Sequence, residues 1–238
     1  TFDIFGSRAF SGGALAAGGA MFGMSGLELL STQKLQLVDA LSPLHAGLII
    51  SAMALSAIPT SILGGATLHR LGFLPLISGG FLLMATGMTL LLATRGETLA
   101  LLVVALVLTG LGAGLAMSVS STAIINAAPL HRTGMASGVE AVSYEFGTLI
   151  SIALTGTLVP LLMARELPPH LAELGTDALH HPASHATAAS AYNAGYLSTI
   201  GGLACFALLL AAITAWCFRD NPKSGDPYAA TQQKERSP

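Results

Sequence analysis

Six apolar runs divide this chain, at roughly 10–38, 45–68, 73–94, 98–128, 134–163 and 191–218. Each is long enough to cross a bilayer as a helix, which takes about 20 mostly apolar residues. The breaks between them read "DALSP", "HRLGF", "TRGE", "APLHRTG" and "RELPPHLAELGTDALHHPASH". They join charge or histidine to Pro or Gly, the chemistry of turns. The pattern predicts an all-α integral membrane protein, a six-helix bundle over 10–218. A lead-in over 1–9, an outer loop at about 165–190 and a polar, disordered tail over 219–238 complete the expected organisation. Small residues at four-residue spacing, Gly110, Gly114 and Ser118 in the fourth run and Gly19 and Gly23 in the first, should let helix backbones approach closely.

Composition sharpens the class. Charged residues make up 9% of the chain and apolar ones 53%, whereas a soluble domain carries about 25% charged residues. Such a chain cannot clothe a water-facing surface, so its solvent is expected to be the lipid bilayer. The net charge of −2 gives no reason to expect a nucleic-acid partner. Six spans place both ends on one side, together with Arg8, Arg70, Arg132, Arg219, Lys223, Lys234 and Arg236; the other side has Lys34, Arg95 and Arg165. The positive-inside rule then puts both termini in the cytoplasm. Cys205 and Cys217 lie about 18 Å apart along one helix, too far to pair. The chain begins without Met and without a signal peptide, so it is expected to be part of a longer polypeptide that includes a further N-terminal half.

Two acids interrupt the fifth run, in "GVEAVSYEFG". An ionised side chain at a bilayer's centre costs about 2.5–3.5 kcal/mol on insertion scales, which makes Glu140 and Glu145 functional candidates. Counted from Gly134, they lie about 9 and 16 Å into the span, which places Glu145 near the midplane. On a helical wheel Thr133, Ser137, Glu140, Tyr144, Gly147, Ser151 and Thr155 form one polar stripe, expected to be a cavity wall. Glu145 lies about 140° away, towards a neighbouring helix or the cavity edge. Glu28, about 27 Å along the first run from Phe10, is a third candidate, expected close to the outer surface. Tyr144 and Phe22 offer π faces to an organic cation, whereas Phe146 and Trp216 suit packing or interfacial anchoring. His180, His181 and His185 read as a solvated loop, because Pro182 breaks their alignment and nothing completes a metal site. With no phosphate-binding loop and no nucleophile–base pair, neither ATP-driven transport nor an enzyme is expected.

The order of spans, the turn "GGATLHRLGF" and the stretch "APLHRTGMASGVEAVSYEFG" resemble the C-terminal half of a major facilitator. More narrowly they are similar to the fourteen-helix drug:proton antiporters, which include exporters of quaternary ammonium compounds and methyl viologen. The likeness covers roughly residues 5–165, and the last span by hydropathy alone. The family's cytoplasmic turn is matched at Gly65, Arg70 and Gly72; His69 stands where its acid would be, and Phe73-Leu74 replace its basic pair. The antiporter motif belongs to the N-terminal half and is not found here. The resemblance implies acids at Glu140 and Glu145 in a pattern like "VE…Y[DE]xG", together with a contribution to cation recognition from Glu28. It further implies secondary export of lipophilic cations in exchange for protons across a bacterial inner membrane, driven by the proton gradient without a cofactor. A uniporter or symporter of a nutrient on the same fold, and a non-transporting six-helix protein, are the alternatives.

Overall fold

The computed structural model describes residues 7–95, 98–172, 174–181 and 183–219. The expected lead-in falls partly, and the expected tail almost wholly, outside the described residues. Six long helices carry the chain: α1 (Arg8–Leu37), α2 (Pro43–Leu71), α3 (Phe73–Ala93), α4 (Leu99–Ala127), α5 (Thr133–Glu166) and, after the short α6 (Pro169–Ala172), α7 (His185–Phe218). All six are long and apolar enough to span a membrane, and no β-strand occurs among the described residues.

Local chemistry sets the junctions. Ser42 caps α2, its hydroxyl accepting from the His45 backbone N–H at 3.4 Å, and Pro43 follows at a position where a missing N–H costs nothing. Gly72 separates α2 from α3 with φ +82°, a left-handed conformation that glycine adopts without a Cβ clash.

Contacts sort the helices into two layers. α1 and α4 lie side by side, α2 packs beyond α4 and α5 beyond α1, while α3 and α7 pack behind them. The small-residue spacing sets the α2–α4 seam. A Cβ at Gly110 would collide with the Met53 carbonyl, and one at Gly114 with that of Ala57. One turn on, Ser118 donates to the Ser61 carbonyl at 2.7 Å. The α1–α5 seam works the same way: a Cβ at Gly147 would strike the backbone of Gly18, and Ser151 donates to the Phe22 carbonyl at 2.6 Å.

One end of the bundle is closed by Phe73 stacked on Phe218 at 5.8 Å and by a cluster of Phe10, Ala17, Ile124 and Ala136. Arg8, Arg70, Arg132 and Arg219 gather at that end. The opposite end is larger and joins α1, α3 and α7 to the loop residues Leu167, Ala178 and Leu179. α2 and α5 are the spans least buried in the bundle. Leu48, Leu55 and Ile62 on α2, and Val142 and Leu149 on α5, are more than half exposed.

Candidate functional site

Because α5 is 34 residues long, its midpoint falls near Ile150. Glu145 then lies roughly 7 Å, and Glu140 roughly 14 Å, towards the arginine-bearing end at 1.5 Å per residue. The four-residue step from Glu140 to Tyr144 places both on one face. The Tyr144 hydroxyl donates to Glu140 Oε1 at 3.0 Å. Tyr144 also packs against the Phe10, Ala17, Ile124 and Ala136 cluster, so the half-buried carboxylate of Glu140 is anchored where α1, α4 and α5 meet.

Beyond this point Gly147 and Thr155 border cavities, but the wall is not the polar one expected. Gly147, Ser151 and Thr155 are buried, against α1 in the case of the first two. The hydroxyls on this side are bonded to backbone: Thr148 to the Tyr144 carbonyl at 3.0 Å, Thr155 to the Ser151 carbonyl at 2.6 Å and Ser151 to Phe22. A hydroxyl that returns its proton to the helix does not require water. Only the part of the stripe carrying Glu140 and Tyr144 remains half-open.

Glu145 is exposed and does not face a neighbouring helix among the described residues, which corrects the expected packing position; Ala141 and Ile152 on its side are exposed too. Glu28 is also exposed, but deeper than expected. α1 continues to Leu37, roughly 13 Å beyond it. The helix carries on through "STQK" because Ser31 and Lys34 are buried on the α7 side, with Lys34 Nζ 5.9 Å from the Tyr196 ring centre.

The α1–α5 contacts fix the relative heights of the acids. Leu29 touches the position of Gly156, and Gly18 that of Gly147. Glu28 therefore sits about 24 Å along the axis from Glu140 and about 16 Å from Glu145. The structure thus brings Glu140 and Tyr144 together, keeps Glu145 near but on another side of α5, and leaves Glu28 apart. Gly65, Arg70 and Gly72 lie at the arginine-bearing end, with Gly65 and Arg70 exposed and Gly72 forming the turn.

Sequence reasoning missed a second polar group at the far end of α1. Lys34 Nζ lies 3.3 Å from Asp39 Oδ2, and the Tyr192 hydroxyl donates to Gln33 Oε1 at 3.4 Å. The available signal was "STQKLQLVD", a lysine followed by an acid five residues on at the end of an apolar run.

Residues 9–237 match the Major Facilitator Superfamily. The chain is 31% identical over 150 residues to the multidrug resistance protein Stp of Mycobacterium tuberculosis, covering 63% of this chain and 28% of that one. It is 32% identical over 157 residues to the methyl viologen resistance protein SmvA of Salmonella typhimurium, covering 66% and 32%. To the multidrug efflux pump LfrA of Mycolicibacterium smegmatis it is 30% identical over 156 residues, covering 65% and 31%. The matched stretch spans less than a third of each of these relatives. With six apolar helices and a match along nearly its whole length, the chain belongs to the Major Facilitator Superfamily, a family of multi-pass membrane transporters and not of enzymes.

Proposed function

We propose that this chain is the C-terminal half of a fourteen-helix multidrug exporter that trades lipophilic organic cations for protons across a bacterial inner membrane. Its partners in this reading are protons, the cations and the N-terminal half of the same polypeptide, with both ends of the segment in the cytoplasm. Names of relatives that speak of multidrug and methyl viologen resistance support the cargo class. The exposed apolar sides of α2 and α5, which flank α1 and α4, supply a surface on which the other half would rock.

The observation that carries the reading is the carboxylate of Glu140, half-buried within a membrane span and hydrogen-bonded by Tyr144. An uncompensated charge in such a place costs several kcal/mol. The carboxylate is therefore held either by a proton or by a cation. A bulky organic cation brings its charge with little hydration, so it replaces the proton without leaving the oxygen bare. Mutually exclusive occupancy couples cargo leaving to protons entering. The Tyr144 hydroxyl keeps the carboxylate in place, and its ring offers a π face to the cation. Glu145 serves the proton pathway, and Glu28, far along the axis, a second contact for the cargo. Gly72 forms the turn between α2 and α3, and Gly65 and Arg70 on the last two turns of α2 hold that turn during the rocking motion.

Substrate-dependent proton release tests this reading. The purified full-length protein, in weakly buffered detergent solution, should acidify the medium when tetraphenylphosphonium is added. The Glu140→Gln variant should not. Binding of the cation without proton release in the unmodified protein would overturn exchange at this carboxylate.

A further inference from the structure

α1 and α7 pack antiparallel towards the end of the bundle away from the arginines. Leu203 borders the Cβ position of Gly26 and, further along, Gln33 accepts from Tyr192 at 3.4 Å. Between these two contacts Ser31 on α1 and Tyr196 on α7 come to the same level. They lie about 9 Å from the end of α1 and about 16 Å into α7, at 1.5 Å per residue. Both are fully buried, and the cluster that holds Tyr196 includes Leu27, Leu30, Met88 and Leu91.

Their hydroxyls differ from most others buried in the bundle. Ser151, Thr155, Thr199 and Thr214 each donate to a backbone carbonyl. The Ser31 and Tyr196 hydroxyls lie close together, yet neither meets a partner at hydrogen-bonding geometry among the described residues. Tyr196 cannot do as the threonines do, because its hydroxyl stands a ring's length from its own backbone. A buried hydroxyl left unpaired forfeits the hydrogen bonds that water gave it in the unfolded chain.

The surroundings select the ligand. Lys34 Nζ lies 5.9 Å from the centre of the Tyr196 ring and 3.3 Å from Asp39 Oδ2. The ammonium and the carboxylate cancel, so the pair offers no net charge to an ion. Two hydroxyls, each a donor and an acceptor, suit a small neutral partner with both capacities. Water is the smallest such molecule, and a buried water typically makes about three hydrogen bonds to polar groups of this kind.

We propose that an ordered water bridges the Ser31 and Tyr196 hydroxyls and forms, with Lys34 and Asp39, a polar core that joins α1 to α7. Ser31 stands three residues beyond Glu28 on α1, so this core steadies the helical segment that carries the acid. The assignment is independent of drug–proton exchange.

Hydroxyl radicals made by radiolysis of water oxidise side chains that touch bulk or bound water, and mass spectrometry reads the product residue by residue. In the full-length protein in detergent, Tyr196 should be oxidised despite its burial. Tyr192, 1% exposed and bonded to Gln33 one turn away, and Phe81, 0% exposed, should stay unlabelled. Ser31→Ala should abolish the labelling of Tyr196. A Tyr196 as unreactive as Phe81 in the unmodified protein would overturn the proposal and leave the two hydroxyls bonded to each other. Equal oxidation of Tyr192 and Tyr196 would also overturn it, because water would then be entering as the two helices part. Labelling of Tyr196 that Ser31→Ala leaves unchanged would rule out the bridge.

Discussion

The Tyr144 hydroxyl donates to Glu140 Oε1 at 3.0 Å across one helical turn, while the tyrosine ring packs against the Phe10 and Ala17 cluster. The carboxylate is therefore tied to the α1–α5 contact through a phenol. Tyr144→Phe keeps the ring and removes the donor. A hydrogen bond to a charged group is worth about 1.5–3 kcal/mol, so the variant should fold normally while its cation affinity, measured on the full-length protein by fluorescence titration, falls by at least about tenfold. Affinity indistinguishable from the unmodified protein would separate the tyrosine from the site.

The α1–α5 seam itself makes a stability prediction. Gly147→Ala forces a methyl group into the Gly18 backbone, whereas at Gly138 an added Cβ meets nothing within 4 Å. Overpacking of this kind costs about 1–3 kcal/mol. Thermal unfolding in detergent should therefore shift down for Gly147→Ala and stay put for Gly138→Ala. Equal midpoints would mean that the two helices separate more easily than their packing implies.

Lys34 and Asp39 make a third case. The lysine side chain is 9% exposed and its partner's 39%. Removing one member of a fully buried pair costs about 3–5 kcal/mol, but water screens a part-exposed carboxylate, so Asp39→Asn should cost about 1–2 kcal/mol. Lys34→Met should be milder, because the replacement is apolar and fits among Leu35, Tyr196 and their neighbours. Combining both changes should cost less than the two single effects added together. Strict additivity in thermal unfolding would show that the pair is not coupled.

Orientation is open to a direct measurement. With Cys205 and Cys217 replaced by alanine, a cysteine at exposed Asp177 should react with a membrane-impermeant maleimide added to intact cells, and one at exposed His69 should not. The reverse pattern would invert the topology and place the Glu140 end outside.

Hydropathy made the six helices legible because each apolar run outlasts the bilayer. It placed the start of the last one too late. "HATAAS" reads as loop, yet α7 begins at His185, since Ala188 and Ala191 are buried in the cluster that includes Ala178 and Leu179. The Ser184 hydroxyl fixes that join by donating to the Ala178 carbonyl at 2.8 Å. A wheel showed that Glu140 and Tyr144 share a face, because the four-residue step alone decides it. It could not show that Ser151 is bonded to α1 and Thr155 to its own helix, since hydroxyls that bond backbone carbonyls look the same in sequence as hydroxyls that line water.

The three acids should separate by height and burial when each is changed to glutamine in the full-length protein. Glu140→Gln preserves shape and most hydrogen bonding but removes the charge at the point tied to Tyr144. A dication needs two compensating charges in low-dielectric surroundings, where each unpaired one costs several kcal/mol. Resistance to methyl viologen should therefore fall by at least about tenfold, the equivalent of about 1.4 kcal/mol, and resistance to ethidium should fall less. Glu145→Gln, on an exposed side of α5 closer to its midpoint, should instead blunt the response to the proton gradient for both compounds. Glu28→Gln, about 24 Å from Glu140 along the axis, should change the ranking of substrates while proton release persists. Cell survival and vesicle efflux, compared at matched expression, read all three. Wild-type export of both compounds by Glu140→Gln and Glu145→Gln would reduce these glutamates to hydrogen-bonding partners within the bundle, and exchange would need another carboxylate.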